Sequence, residues 1–168
     1  RKSAINPADI RRLLQSLVIY ERKGPAVFQI RLMGTSIVQR VGIDLTGRNL
    51  LDFFHYAAKE EAQQDLNRIV DGPCGQFLVV KDRFTSGREA WVEVLRLPLT
   101  DEAGQTRFII GCTEQKETTS FVYGQRGEPE LIAERIKGFF FDLQGKVLPE
   151  TIWQNPDYAL PDEIGAGW

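Results

Sequence analysis

The chain has 168 residues, with 21 Lys and Arg against 23 Asp and Glu and a net charge of -2, which excludes the basic footprint of a nucleic-acid binder. No apolar run reaches the roughly 18 residues of a membrane helix, and no charged-then-apolar leader is evident, so a soluble, cytoplasmic domain without a membrane partner is expected. Two cysteines, Cys74 and Cys112, are too few for a disulfide framework and fit reduced thiols.

The length suits one well-cored domain with an extension. The chain opens at Arg1 rather than Met, as a trimmed one would, so a lost leader stays open. Asn6-Pro7-Ala8-Asp9 is a helix start, with a capping Asn and a first-turn Pro. Ile10, Leu13, Leu14 and Leu17 follow at helical spacing and predict a short amphipathic helix. Leu17–Glu21 and Ala26–Met33 flank Arg22-Lys23-Gly24-Pro25 as a hairpin. Gly34-Thr35-Ser36 caps a short helix, Ile37–Val41, closed by Gly42. Asp44-Leu45-Thr46-Gly47-Arg48 is a turn, and a longer helix runs over about 57–70, stopped by Asp71-Gly72-Pro73.

From Gly75 to Gln115, three runs (Phe77–Phe84, Ala90–Leu99 and Arg107–Thr113) are separated by turn-rich segments, the pattern of a three-stranded antiparallel meander. Alternation is partial: Trp91, Leu95, Leu97 and Leu99 share one face and Val92 and Val94 the other, with Glu93 and Arg96 as interruptions. Both faces therefore need cover.

Several segments stand in a specific order: Ile5-Asn6-Pro7-Ala8-Asp9-Ile10, Leu13-Leu14 running into Leu17–Glu21, Phe28–Met33 with Gly34-Thr35, Gly42-Ile43-Asp44-Leu45-Thr46-Gly47-Arg48, and Leu97-Pro98-Leu99. Together they resemble compact single-PAS proteins found mainly in alphaproteobacteria, most of them without an assigned biochemistry, over about residues 3–115. Gln15 stands where those relatives often carry a His, so a role tied to that His does not transfer. The resemblance implies an α+β fold, a PAS-like five-stranded antiparallel sheet in the order 2-1-5-4-3 with short helices over one face, and a space between the layers that holds a small ligand or is filled by side chains. It also implies sensing and dimerisation.

Beyond that region, residues 116–148 are expected to form an extension. Thr118–Tyr123 would continue the last strand or form another, Glu128-Pro129-Glu130 would open a helix over Leu131–Lys137, and a small hairpin would turn at Asp142–Gly145. Residues 149–168, with Pro149, Pro156, Pro161, Gly165 and Gly167, read as an extended tail whose Trp153, Tyr158 and Trp168 need burial on the domain or on a second copy.

Candidate chemistry is sparse. Nucleophilic catalysis needs a base beside its nucleophile, and the chain has one histidine, His55, and no Gly-x-Ser-x-Gly. Two Cys and one His at unrelated spacings make no zinc set. Haem held by His55 and photochemically bound flavin are both disfavoured, because His55 reads as a helix cap and neither Cys74 nor Cys112 lies in an Asn-Cys-Arg pattern. A non-covalent pocket is the remaining site, with Phe53, Phe54, Leu66, Ile69, Phe77, Val79, Trp91, Leu95 and Ile110 as an apolar wall and Arg48 and Glu93 as its polar groups. The same side chains would equally make a dry core. The expectation is thus a non-catalytic, cytoplasmic PAS-type sensory module that needs no cofactor, is homodimeric, and acts on a signalling partner protein with or without a small ligand. The alternatives are a purely structural dimerisation domain and a small hydrolase or transferase.

Overall fold

The computed structural model describes residues 11–84, 89–119 and 131–157. Leu14–Ser16 form one 3-10 turn that leads into β1 (Leu17–Gly24), and β2 (Val27–Met33) returns beside it. The rest of the expected N-terminal helix lies outside the described residues. Next come α1 (Thr35–Val41), a 3-10 turn at Leu50–Phe53 and α2 (Tyr56–Asp71). The meander follows as β3 (Gly75–Phe84), β4 (Glu89–Thr100) and β5 (Thr106–Thr119), then β6 (Leu131–Phe141) and the two-residue β7 (Trp153–Gln154).

Among the described residues the strands form one seven-stranded antiparallel sheet in the order β2-β1-β5-β4-β3-β6-β7. Its first five members reproduce the expected 2-1-5-4-3 arrangement, and the sheet then continues by two strands past β3. The helix expected over Leu131–Lys137 is instead the first part of β6, paired with β3 from Phe84↔Leu131 to Gly75↔Phe141. Ile132 and Ile136 at helical spacing favour a helix locally. A ten-residue β3 with an open edge is a stronger demand, because it leaves a row of backbone donors and acceptors unpaired. The turn expected at Asp142–Gly145 is present: Asp142 Oδ1 accepts from the backbone of Gln144 and Lys146, and Phe141 bridges Val147. In the expected tail, residues 149–154 join the fold through a 3-10 turn and β7, while Tyr158 and Trp168 lie outside the described residues.

The Asp-Leu-Thr-Gly-Arg turn guards the other edge of the sheet. Asp44 Oδ1 accepts from both the amide and the hydroxyl of Thr46, and these bonds hold its carboxyl below the usual carboxylate range. Gly47, at φ 89°, then lets the chain bond edge strand β2 through Gly47 N to Ile30 O and Ile30 N to Arg48 O. Asn49 adds its side chain, accepting from Phe28 N at 2.9 Å. Strand β2 is therefore covered by this loop.

Candidate functional site

The two faces of the sheet are distinguished by residue parity. On the helical face, Val18 and Tyr20 of β1, Leu78, Val80 and Asp82 of β3, Val94 and Arg96 of β4, and Thr113 of β5 look toward α1 and α2. Ala133 and Arg135 of β6 join them, because a bulge at Val79/Val80 brings Arg135 opposite Val80. From above come Ile37, Arg40 and Val41 of α1, Phe53 of the 3-10 turn and Phe54 just after it, and Ala58, Glu61 and Asp65 of α2. Between these layers lies a cavity of about 110 Å³. That is room for several water-sized groups.

Most of the wall is apolar, but its floor carries a buried polar network that a simple core would not have. Gln76, with no exposed surface, donates Nε2 to Asp65 at 2.6 Å and accepts from Arg96 Nη1 at 2.9 Å, which ties α2 to β3 and β4. Arg40 donates Nη1 to Thr113 Oγ1 at 3.3 Å, and its Nε stands 3.7 Å from Asp82. Arg40 and Arg96 are each 8% exposed, and the Nε of each has no hydrogen-bond partner among the described residues. Asp82 is buried beside both guanidinium groups, yet burial outweighs their pull and pushes its carboxyl up to about 6. Burial likewise raises the phenol of Tyr20 and depresses Arg40. Arg135 bridges Glu61 and Asp65 at 3.5 Å each and lies 4.1 Å over the ring of Trp153.

The residues singled out from the sequence divide between the two faces. Phe53 and Phe54 line the cavity, while Leu66 and Ile69 are fully buried in the same helix-side core without lining it. Phe77, Val79 and Trp91 pack with Ile136 and Phe139 on the opposite face. Leu95 and Ile110 share that outer face, where Leu95 is 38% exposed, and Glu93 there pairs with Lys116 at 3.3 Å. Arg48 stacks its guanidinium 4.4 Å from the centroid of the Phe53 ring and does not line the cavity. His55 precedes α2, its ring 4.1 Å from that of Tyr56, and does not line the cavity either. Cys74 is buried in the helix-side core, and Cys112, opposite Leu95, faces outward.

Sequence reading passed over Tyr20, Arg40, Gln76, Asp82, Arg96 and Thr113. For Arg96 the available signal was a lone charge within an apolar run, Val-Leu-Arg-Leu, whereas Asp82 stands between Lys81 and Arg83 and carries no such signal. Such a charge lies inside only if it is partnered.

The sequence of residues 1–114 matches the family model described as the PAS domain. The chain belongs to the PAS domain family. Solved structures agree in fold. A light-oxygen-voltage domain studied with a flavin analogue matches at TM-score 0.50 and 19% identity, covering 66% of this chain and 83% of that one. The light state of the blue-light photoreceptor Aureochrome1 LOV matches at TM-score 0.50 and 14% identity, covering 68% and 90%. An RNA-binding light-oxygen-voltage receptor matches at TM-score 0.50 and 14% identity over 67% of this chain but 33% of its own length. No curated protein matches the sequence. Among the described residues, no helix of this PAS domain is long and apolar enough to cross a membrane.

Proposed function

We propose that this PAS domain is a non-catalytic, cytoplasmic sensory module, in which a small molecule held in the cavity changes how the sheet associates with a second copy or with a signalling partner. One observation carries the reading: the space between helices and sheet is lined by an apolar wall onto which buried polar groups converge. A closed core has no use for such convergence, whereas a ligand pocket does. Ligand binding would bias the sheet between two arrangements through contacts that differ between them.

Flavin, named in the description of one structural neighbour, is not the ligand proposed. The cavity is well below the ~300 Å³ of pockets for larger ligands, and neither cysteine lines it. Haem is not proposed either, since His55 does not line the cavity.

The test is native mass spectrometry of the purified protein under gentle and harsh desolvation. A small mass excess that disappears on harsh activation is expected. A mass equal to the bare chain under both conditions contradicts the ligand reading and favours a dimerisation domain with a dry core. Light scattering should show a dimer, with a change on removing residues 149–168 if the tail contributes to it.

A further inference from the structure

The chemistry of the ligand follows from the charged side chains that line the cavity. An arginine presents five N–H donors and cannot lose its charge in a protein. Arg40 directs Nη1 to Thr113 and Arg96 directs Nη1 to Gln76, and both Nε groups are enclosed by the protein without a partner among the described residues, so neither guanidinium is fully neutralised by its surroundings. Burying a cation without filling its donors is costly. The acid beside them does not resolve this: Asp82 lies 3.7 Å from Arg40 Nε, beyond hydrogen-bond distance. The remaining acids at the cavity, Asp65 and Glu61 of α2, are engaged by Arg135 of β6. Around the cavity three arginines and three acids balance in number, but Arg40 and Arg96 share the one carboxyl of Asp82, which hydrogen-bonds to neither at the distances observed.

Packing beside them is close. Gly111 of β5 lies opposite both Arg96 and Val18, and a Cβ there would come within 2.9 Å of Val18 Cγ1. Apart from Tyr20, Thr113 and the ion pairs just named, the wall is hydrocarbon, chiefly Val18, Ile30, Ile37, Phe53, Leu78 and Val94.

We propose that the cavity selects a small monocarboxylate, its carboxylate held by Arg40 and Arg96 and its short aliphatic tail lying among Ile30, Ile37 and Phe53. The inference rests on the ligand-binding reading above and specifies its chemistry. A guanidinium fork matches a carboxylate in geometry as well as in charge. A volume of about 110 Å³ limits the tail to a few carbons. A dianion is disfavoured, because Asp82 already supplies negative charge to the same arginines and most of the remaining wall is apolar.

The probes are sodium butyrate, its neutral analogue butyramide, and inorganic phosphate, each titrated calorimetrically into the full chain at pH 7. Butyrate is expected to bind at least about tenfold more tightly than butyramide or phosphate. Arg96→Gln should erase the preference for acid over amide. Since that change also disturbs the Gln76 bond, Asp82→Asn provides a second reading: it removes the competing charge while keeping the shape, and butyrate should bind at least about threefold more tightly, a gain that a purely structural ion pair would not give. Equal binding of acid and amide, tighter binding of phosphate, or weaker butyrate binding by Asp82→Asn overturns the proposal. Failure of all three probes to bind also overturns it, while the mass measurement on the purified protein decides separately whether the cavity holds any ligand.

Discussion

Arg40 Nε stands 3.7 Å from Asp82 Oδ2 in the interior of the domain, close enough for attraction and too far for a hydrogen bond. The contact counts as an ion pair by distance, yet the carboxyl of Asp82 is raised to about 6 rather than lowered. The two observations agree once burial is set against Coulomb attraction. Desolvation acts on a fully enclosed carboxylate, and the attraction of Arg40 and Arg96 is too weak to offset it. The pair is therefore a poor stabiliser of the fold.

The pH dependence of stability follows with a definite sign. An acid whose pKa is near 4 when unfolded and about 6 when folded keeps its proton longer in the native state. Its contribution is favourable below about pH 4, declines as pH rises through 4 to 6, and has been lost above that. A rise from near 4 to about 6 corresponds to roughly 2–3 kcal/mol. Relative to wild type, Asp82→Asn should gain roughly that amount in chemical denaturation between pH 4 and pH 7. A wild type that instead gains on Asp82→Asn over this window would mean that Asp82 is held ionised by its arginines.

Gln76 is the second lever on the same network. Replacement by Leu keeps the volume but removes the amide that joins Asp65 to Arg96, leaving two buried charged groups each short of a partner. A loss of about 3 kcal/mol in urea denaturation is expected. A loss below about 1 kcal/mol would show that water or a shifted side chain replaces the bridge.

How much of this was legible in the sequence depended on how local the signal was. The turn at Asp44–Arg48, the α1 cap at Gly42 and the meander strands follow from short-range chemistry, and they are present in the structure. Strand β6 was not legible, because its pairing with β3 is a demand made some fifty residues away in sequence. Choosing a pocket wall required knowing which face of the sheet the helices cover, and sequence alternation gives two faces without labels. The shift from Trp91, Glu93 and Leu95 to Val92, Val94 and Arg96 is a single-residue step in register, and it exchanges the outer face for the helical face, where Val94 and Arg96 line the cavity. Even so, Phe53 and Phe54 were placed at the cavity, since no such choice arises for a turn that sits above the sheet.

The Gly-Thr pair after β2 has a structural reason of its own. A Cβ on Gly34 would lie 2.3 Å from the carbonyl oxygen of Gln15, so only glycine lets the start of α1 pass the turn before β1. Gly34→Ala should cost roughly 1–3 kcal/mol. Gly24→Ala, with nothing within 4 Å of the added methyl, should change stability by less than about 0.5 kcal/mol. Equal effects of the two substitutions in thermal denaturation would remove close approach as the explanation.

The sensing role proposed for this domain requires a small molecule to occupy the helical side of the sheet and not its outer face. Val94 and Leu95 are neighbours on β4 that point to opposite sides, Val94 into the cavity and Leu95 outward. The decisive experiment is native mass spectrometry of Val94→Phe and Leu95→Phe beside the wild type, with circular dichroism confirming that both variants fold. The small mass carried by the wild type should be lost from Val94→Phe, whose ring fills the space, and kept by Leu95→Phe. Retention by Val94→Phe together with loss from Leu95→Phe would place the ligand on the outer face and contradict a cavity between helices and sheet as its site.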